Sequence, residues 1–457
     1  MKKFFSPWIA YGLGLLAALA AVVLVQRWGA GLQAPPGAPD ATPGQAALTN
    51  NILLHLLMAL AAIMACGRLM GRLFSRLGQP PVIGEVLAGI LLGPSLLGRL
   101  WPEAGAYLLP ATVAPFLGVV AQLGIILYMF QVGLELNAAE FKGRGQATLA
   151  ISHASILAPF VLGLGLALWL YPRFSTADVP FASFSLFIGV ALSITAFPVL
   201  ARILGDSGLS KTSLGVVALS CAAVDDATAW CLLAVVVGVA QSQLGSALTV
   251  VAWLGAYAAL MFFGLRPLIL RVAARQPKGP ISQGVVAAVL LLVLLSAIST
   301  ELIGIHAIFG AFLLGVLIPH DSAIARDFEG KLKDVVAVLL LPAFFAFSGM
   351  RTQLGLLQGQ EQWLACGLII LVATLGKFGG ASLAAKLSGM SGRDAVALGI
   401  LMNTRGLVEL IVLNIGLDLK IISPTLYAMM VLMALATTMA TAPALRAFTP
   451  GLLPKRR

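Results

Sequence analysis

Polar positions in this chain fall in short clusters, and the apolar positions between them form long blocks. Fourteen blocks have helical length: Trp8–Val25, Ile52–Phe74, Val82–Leu97, Pro115–Leu134, Ala147–Leu170, Phe184–Leu204, Ser213–Ala240, Ala247–Leu270, Ser282–Ser299, Ile303–Ile318, Val335–Met350, Trp363–Leu387, Ala395–Ile415 and Ile422–Leu445. A helix crosses a bilayer in about 20 predominantly apolar residues. A membrane β-barrel shows instead segments of about ten residues with alternating hydrophobicity. The pattern therefore predicts an all-α polytopic membrane protein with 13–14 transmembrane helices.

Charge placement orients these helices. With the N-terminus inside, Arg27, Arg99, Arg173, Arg351 and Lys420 fall outside, and Lys377 and Arg405 lie within spans. The other 22 of the 29 Lys and Arg residues fall on the cytoplasmic side. That asymmetry is the positive-inside signature of a multi-pass inner (plasma) membrane protein, with both termini cytoplasmic if the first helix is retained. The net charge of +11 is thus an orientation signal whose partner is anionic membrane lipid, not nucleic acid. Composition agrees: 60% of residues are hydrophobic and 10% charged, against about 25% charged in soluble domains. Mean hydropathy is +0.99. The four cysteines, Cys66, Cys221, Cys231 and Cys366, all lie in apolar runs, which suggests neither a disulfide framework nor a thiolate metal site.

Three regions are expected. Residues 1–51 hold the first helix, or a signal peptide, and a Pro/Gly/Ala-rich periplasmic linker over Gly29–Asn50. Residues 52–445 form the transmembrane domain, and residues 446–457 a short basic cytoplasmic tail. No loop is long enough for a soluble domain, and no cofactor is implied. Gly205–Thr212 looks superficially like a phosphate loop, but it lacks the glycine before the lysine and reads as a cytoplasmic loop, so an enzyme is not expected.

Chemistry concentrates in a few intramembrane charges. Asp225 and Asp226 are the only charged residues between Ser213 and Ala240. One ionised carboxylate at mid-bilayer costs ~2.5–3.5 kcal/mol on insertion scales, so such residues mark functional sites. A second acid adds like-charge repulsion, which fits the pair to hold a cation or protons and to exchange one for the other. Lys377 sits well inside the twelfth run, where either a carboxylate partner or loss of its proton is expected. Arg405 and Glu409 are four residues apart, as for a local ion pair on one helix face. Glu85 and Glu135 lie near run ends and read as packing or vestibule residues. His153 and His306 read as hydrogen-bonded interior histidines with pH sensing as the alternative.

Two internal echoes suggest an inverted repeat. Ile83–Gly93 resembles Ile305–Gly315, and one run later Tyr128–Glu135 resembles Phe344–Arg351. Each pair is seven runs apart, an odd number, so the copies run in opposite directions, as in secondary transporters whose site lies at the repeat interface. The same offset pairs the sixth and thirteenth runs, and both look broken. Pro198 ends Ser193-Ile-Thr-Ala-Phe-Pro and removes a backbone donor, while Asn403-Thr-Arg-Gly406 is polar and charged. Unwound backbone at this depth belongs inside protein or beside a cavity. Crossed discontinuous helices are therefore expected, with Pro198, Asn403, Arg405 and Glu409 supporting the crossing. Oxygen ligands suit a hard cation, so Thr195, Ser193 and nearby carbonyls are expected to supplement the carboxylates.

These stretches resemble the monovalent cation/proton antiporter-2 family, which includes bacterial sodium/proton antiporters, Kef-type potassium transporters and plant cation/proton exchangers. The resemblance rests on Gln79–Pro94, Thr195–Leu204, Val224–Asp226 and Leu401–Asn414, and extends from about Ile52 to Leu445. It implies a homodimer with a dimerisation part and a mobile core that works as an elevator. It also implies that Asp226 is the main carboxylate for Na+ or K+ and protons, and that Asp225 pairs with Lys377. The Asn-Thr-Arg-Gly and Lys-Phe-Gly-Gly contexts look closest to plant exchangers, which often favour potassium. The double aspartate with a lysine looks closer to electrogenic sodium antiporters, which implies two protons per cation. Kef-type relatives carry a cytosolic regulatory domain, and none is expected here. The expected function is exchange of a monovalent cation for protons. The competing expectations are a sodium-coupled organic anion symporter on a similar scaffold and a gated potassium efflux pathway.

Overall fold

The computed structural model describes residues 7–32, 52–135, 146–210, 212–241, 247–276, 280–303 and 306–448. Most of the linker, the last nine residues of the tail and the start of the Ile305–Gly315 echo lie outside the described residues. Among the described residues the elements are all helices. Each of the fourteen apolar runs coincides with one helix or with a helix in two parts, because a backbone in hydrocarbon has to satisfy its own polar groups.

In chain order the helices are α1 (Pro7–Gly29), α2 (Ile52–Arg76), α3 (Pro81–Leu92), the short α4 (Leu97–Leu100) and α5 (Pro102–Leu108), α6 (Ala114–Glu135) and α7 (Gln146–Phe174). There follow α8 (Phe181–Ser193), α9 (Phe197–Asp206), α10 (Ser213–Gln241), α11 (Ala247–Ala259) running through a π turn into α12 (Arg266–Arg275), α13 (Gln283–Ile303) and α14 (Ile308–Leu317). The chain closes with α15 (Ala323–Val335) running through a second π turn into α16 (Leu341–Arg351), α17 (Gln360–Leu387), α18 (Gly392–Met402), α19 (Leu407–Asp418) and α20 (Pro424–Phe448). Ten of these helical stretches are long and apolar enough to cross a membrane. Shorter apolar helices include α8 and α14.

One boundary moves substantially. The eleventh run is expected to begin at Val335, whereas its helix begins at Ala323. The Ser322 hydroxyl accepts a hydrogen bond from the Ala325 N–H and caps the helix. The added turns are amphipathic and bury Ile324, Ala325 and Phe328, so they satisfy a helix without being apolar enough to register as a span.

The helices pack in two groups. In one, α2 lies on α3, α3 on α16, α6 on α14 and on α16, and α13 on α14. In the other, α7 lies on α17, α8 on α7, α18 on α17, and α10 and α20 flank the discontinuous helices. The α6–α14 crossing is set by glycine. A Cβ on Gly133 would lie 2.3 Å from the Phe312 carbonyl oxygen, and one on Gly315 would lie 2.3 Å from that of Phe130. Small residues at such crossings let backbones meet, which is how membrane helices gain packing energy without a hydrophobic drive between them.

The sixth and thirteenth runs are broken as their residues predict. Between α8 and α9, Ile194 and Ala196 are extended. Pro198 falls in the first turn of α9, where its missing N–H costs no helical bond. Between α18 and α19, Asn403–Gly406 leave the helix. The two breaks meet: the Ala196 N–H donates to the Thr404 carbonyl at 2.9 Å.

Candidate functional site

The site forms where the two breaks cross beside the middle of α10. Successive residues on a helix do not face the same way, and Asp225 and Asp226 accordingly have different surroundings. Asp225 is fully buried. Its Oδ1 accepts from Ser152 Oγ at 2.5 Å, and its Oδ2 from Ser155 Oγ at 2.7 Å, Thr195 Oγ1 at 2.8 Å and Lys377 Nζ at 2.9 Å. Lys377 is equally buried and also donates to Ser155 Oγ at 3.3 Å. The Thr195 hydroxyl lies 3.1 Å from the Met402 carbonyl as well, so its single proton is shared between the acid and the second break.

Asp226 is bound differently. It accepts a backbone hydrogen bond from Phe197, the first residue of α9, so a helix N-terminus faces the carboxylate. Its Oδ1 has no hydrogen-bond partner among the described residues. It retains 6% exposure, while Asp225, Lys377, Arg405 and Glu409 have none. An orphaned carboxylate oxygen at a helix break suits a hard monovalent cation or a proton.

The sequence pattern places Arg405 and Glu409 on one helix face; the structure corrects this. Arg405 lies in the break itself, and Glu409 in the first turn of α19. They still pair, at 2.9 Å. The guanidinium also reaches across the crossing, with Nη1 donating to the Ala191 carbonyl at 2.9 Å and Nη2 to that of Leu192 at 2.7 Å. Arg405 thereby caps the C-terminal end of α8, where unsatisfied carbonyls and the helix dipole favour a cation. Its backbone is held by Thr438, which accepts from the Arg405 N–H and donates to the Arg405 carbonyl. The orphaned Oδ1 of Asn403 belongs to the same break.

Ser193 is not turned to the acids. Its hydroxyl donates to the Ile156 and Gly189 carbonyls, at 3.0 and 2.7 Å, so the expected fourth oxygen ligand is a helix-end bond instead. Thr195 does reach the carboxylates, but it reaches Asp225 rather than Asp226. Ser152 and Ser155 escape a reading of the sequence. A serine in an apolar helix ordinarily bonds the carbonyl one turn back, and only the packing of α7 on α10 and α17 turns these two outward. Glu85 packs on Gly67 and Gly71 of α2, and Glu135 ends α6. The His153 Nδ1 bonds the Leu149 carbonyl on its own helix, while the His306 Nδ1 is buried without a partner among the described residues.

A polytopic helical bundle with two broken helices crossing at buried charges defines a membrane transporter. A family profile described as "Sodium/hydrogen exchanger, transmembrane" matches residues 59–447. The Na(+)/H(+) antiporter NhaS4 of Synechocystis is 44% identical over 399 residues, covering 87% of this chain and 97% of that protein. Cation/H(+) antiporter 17 of Arabidopsis thaliana is 41% identical over 426 residues, or 91% of this chain and 52% of the plant protein. The sodium proton antiporter MjNhaP1 from Methanocaldococcus jannaschii, solved at pH 8, shares the fold with a TM-score of 0.62 at 16% identity, over 86% of this chain and 99% of that one. The chain belongs to the sodium/hydrogen exchanger family: it is a multi-pass membrane cation/proton antiporter, not an enzyme.

Proposed function

We propose that this protein exchanges Na+ or K+ for protons and that Asp226 is the group for which the two ions compete. Charge parity carries the reading. Among the described residues, five acidic or basic side chains lie buried at the crossing, and four of them close into the pairs Asp225–Lys377 and Arg405–Glu409. Asp226 is the odd carboxylate, and hydrocarbon tolerates it only neutralised. One proton or one monovalent cation does that equally well, and their competition couples the two fluxes. The similarity to a protein named for Na+/H+ exchange and to plant proteins named for cation/H+ exchange leaves both ions in scope.

The packing supports an elevator. All five charges lie in the group built from α7–α10 and α17–α20, which meets the other group along α16–α19 and a crevice between Val82, Ile83 and Val86 of α3 and Arg405, Gly406 and Leu410. Such a boundary lets one group slide with the ion aboard. An inverted repeat is supported by matched packing: α3 on α16 has its counterpart in α14 on α6, and α8 on α7 in α18 on α17. The placement of Lys and Arg supports an inner membrane with cytoplasmic termini. A homodimer in contact with lipid, with the ion-carrying part in each protomer, completes the proposal.

The test is purified protein in proteoliposomes with an internal pH dye and Na+, K+ or Li+ added in turn. Saturable alkalinisation or acidification that follows a monovalent cation gradient is expected. Cation flux without proton movement, or flux that does not saturate, would reject antiport and favour a symporter or a channel.

A further inference from the structure

We propose that Ser152 and Ser155 of α7 are positioning residues that hold Asp225 against Lys377 and keep it out of the cation's coordination, so that the transported ion is bound by one carboxylate rather than two. This rests on the antiport reading above and deepens it.

A carboxylate has about four lone-pair sites. The four donors on Asp225 come from three directions: Ser152 and Ser155 from α7, Thr195 from the first break and Lys377 from α17. Ser155 works twice, donating to Asp225 and accepting from Lys377. Ser152 is the partner that holds Oδ1. Both oxygens of Asp225 are thus engaged, Oδ2 by three donors and Oδ1 by Ser152, which orients it away from a cation one residue on, whereas Asp226 Oδ1 has no hydrogen-bond partner among the described residues. Buried ion pairs persist only with such extra hydrogen bonds to offset desolvation. The close packing of α7 on α17, where a Cβ on Gly376 would lie 2.6 Å from Pro159 Cα, keeps the serines from drifting.

Charge count sets cation affinity. Two carboxylates around one monovalent ion would bind it more tightly and hold it against a single competing proton. One carboxylate is neutralised by either ion alone. On this view the serines trade affinity for release.

The experiment is steady-state exchange in proteoliposomes by Ser152→Ala, Ser155→Ala and their combination, with Ser152→Thr and Ser155→Thr alongside. Ser152→Ala frees Asp225 Oδ1 directly. The expected result is an apparent KM for the transported cation lowered by about tenfold, the change that ~1.4 kcal/mol of added attraction gives, together with a lower kcat. The threonine variants, which keep the hydroxyl, should retain the parental values. Damage to the fold would raise KM or leave it unchanged while activity fell, so a lowered KM separates positioning from structure. An unchanged or raised KM in the alanine variants would overturn the proposal. If the combined variant fails to reach the membrane, the two single variants decide by the same criterion. A parent protein that exchanges no monovalent cation for protons would sink the antiport reading itself. Unaltered variants of an active parent would sink only the role given to the serines.

Discussion

At the residue scale, the consequences of removing a charge depend on whether that charge has a partner. Asp226→Asn removes the unpaired carboxylate and leaves both ion pairs intact. The variant should fold with the parental thermal midpoint and show no exchange, since an amide cannot alternate between proton and cation. Normal exchange by this variant would reject the central role of Asp226. Asp225→Asn does something different, because it strands a fully buried Lys377. Breaking one side of a buried pair costs about 3–5 kcal/mol, whereas replacing both sides is often near neutral. Thermal unfolding in detergent should therefore show a large loss for Asp225→Asn that the further change Lys377→Gln largely restores. Arg405 makes three hydrogen bonds with one guanidinium, a geometry an ammonium cannot reproduce. Arg405→Lys is expected to lose about 2 kcal/mol of stability, as for a hydrogen bond to a charged group, and to impair exchange. Parental stability and rate would show that the cap on α8 is dispensable.

At the element scale, two kinds of device position the site. Helix breaks free backbone groups, and glycine crossings hold the framework in which those breaks sit. Gly133 and Gly315 oppose each other at the α6–α14 crossing, with no room for a side chain on either. Gly133→Val should separate the helices and cost about 1–3 kcal/mol, the usual penalty for overpacking, read as a lowered thermal midpoint in detergent. Gly14, with nothing within 4 Å, serves as the control, and Gly14→Ala should be silent. The breaks themselves were legible from composition. Pro198 and the Asn403–Gly406 cluster are residues that a membrane helix accommodates only at a discontinuity. The additional turns of α15 were not legible, because an amphipathic helix that extends a span lacks the apolar signal by which spans are found.

At the scale of the whole molecule, the open quantity is charge carried per cycle. If Asp225 keeps Lys377 throughout, one proton leaves Asp226 as one cation arrives, and the cycle is electroneutral. The resemblance to electrogenic sodium antiporters implies the opposite, with Lys377 releasing a second proton. Transport currents on a solid-supported membrane decide between them. A clamped pair predicts exchange by pH dye with negligible current. A robust current that Lys377→Gln abolishes would mean that the pair opens during transport. The group boundary carries a further contact that would have to yield in the proposed elevator cycle. There Arg351 of α16 binds Asp418 at 2.6 Å and Asn414 at 3.0 Å, both on α19, and Tyr427 of α20 donates to the Ser348 carbonyl of α16.

What the sequence determined by itself was everything governed by the cost of placing a group in hydrocarbon. Apolar runs of bilayer length become helices, helix-breaking residues inside them become breaks, and charges that survive there are the ones with work to do. Those are local energies, evaluated one segment at a time. The tertiary structure alone decided which charge neutralises which. It turned Arg405 away from a simple helix-face pair to cap α8, gave Thr195 to Asp225 rather than Asp226, turned Ser193 to backbone carbonyls of α7 and α8 and brought Ser152 and Ser155 from α7 onto the acid. A hydrogen bond reaches only about 3 Å, so its partner is chosen by where two helices cross, and residues 70 or more positions apart carry no mark of that crossing in their order along the chain.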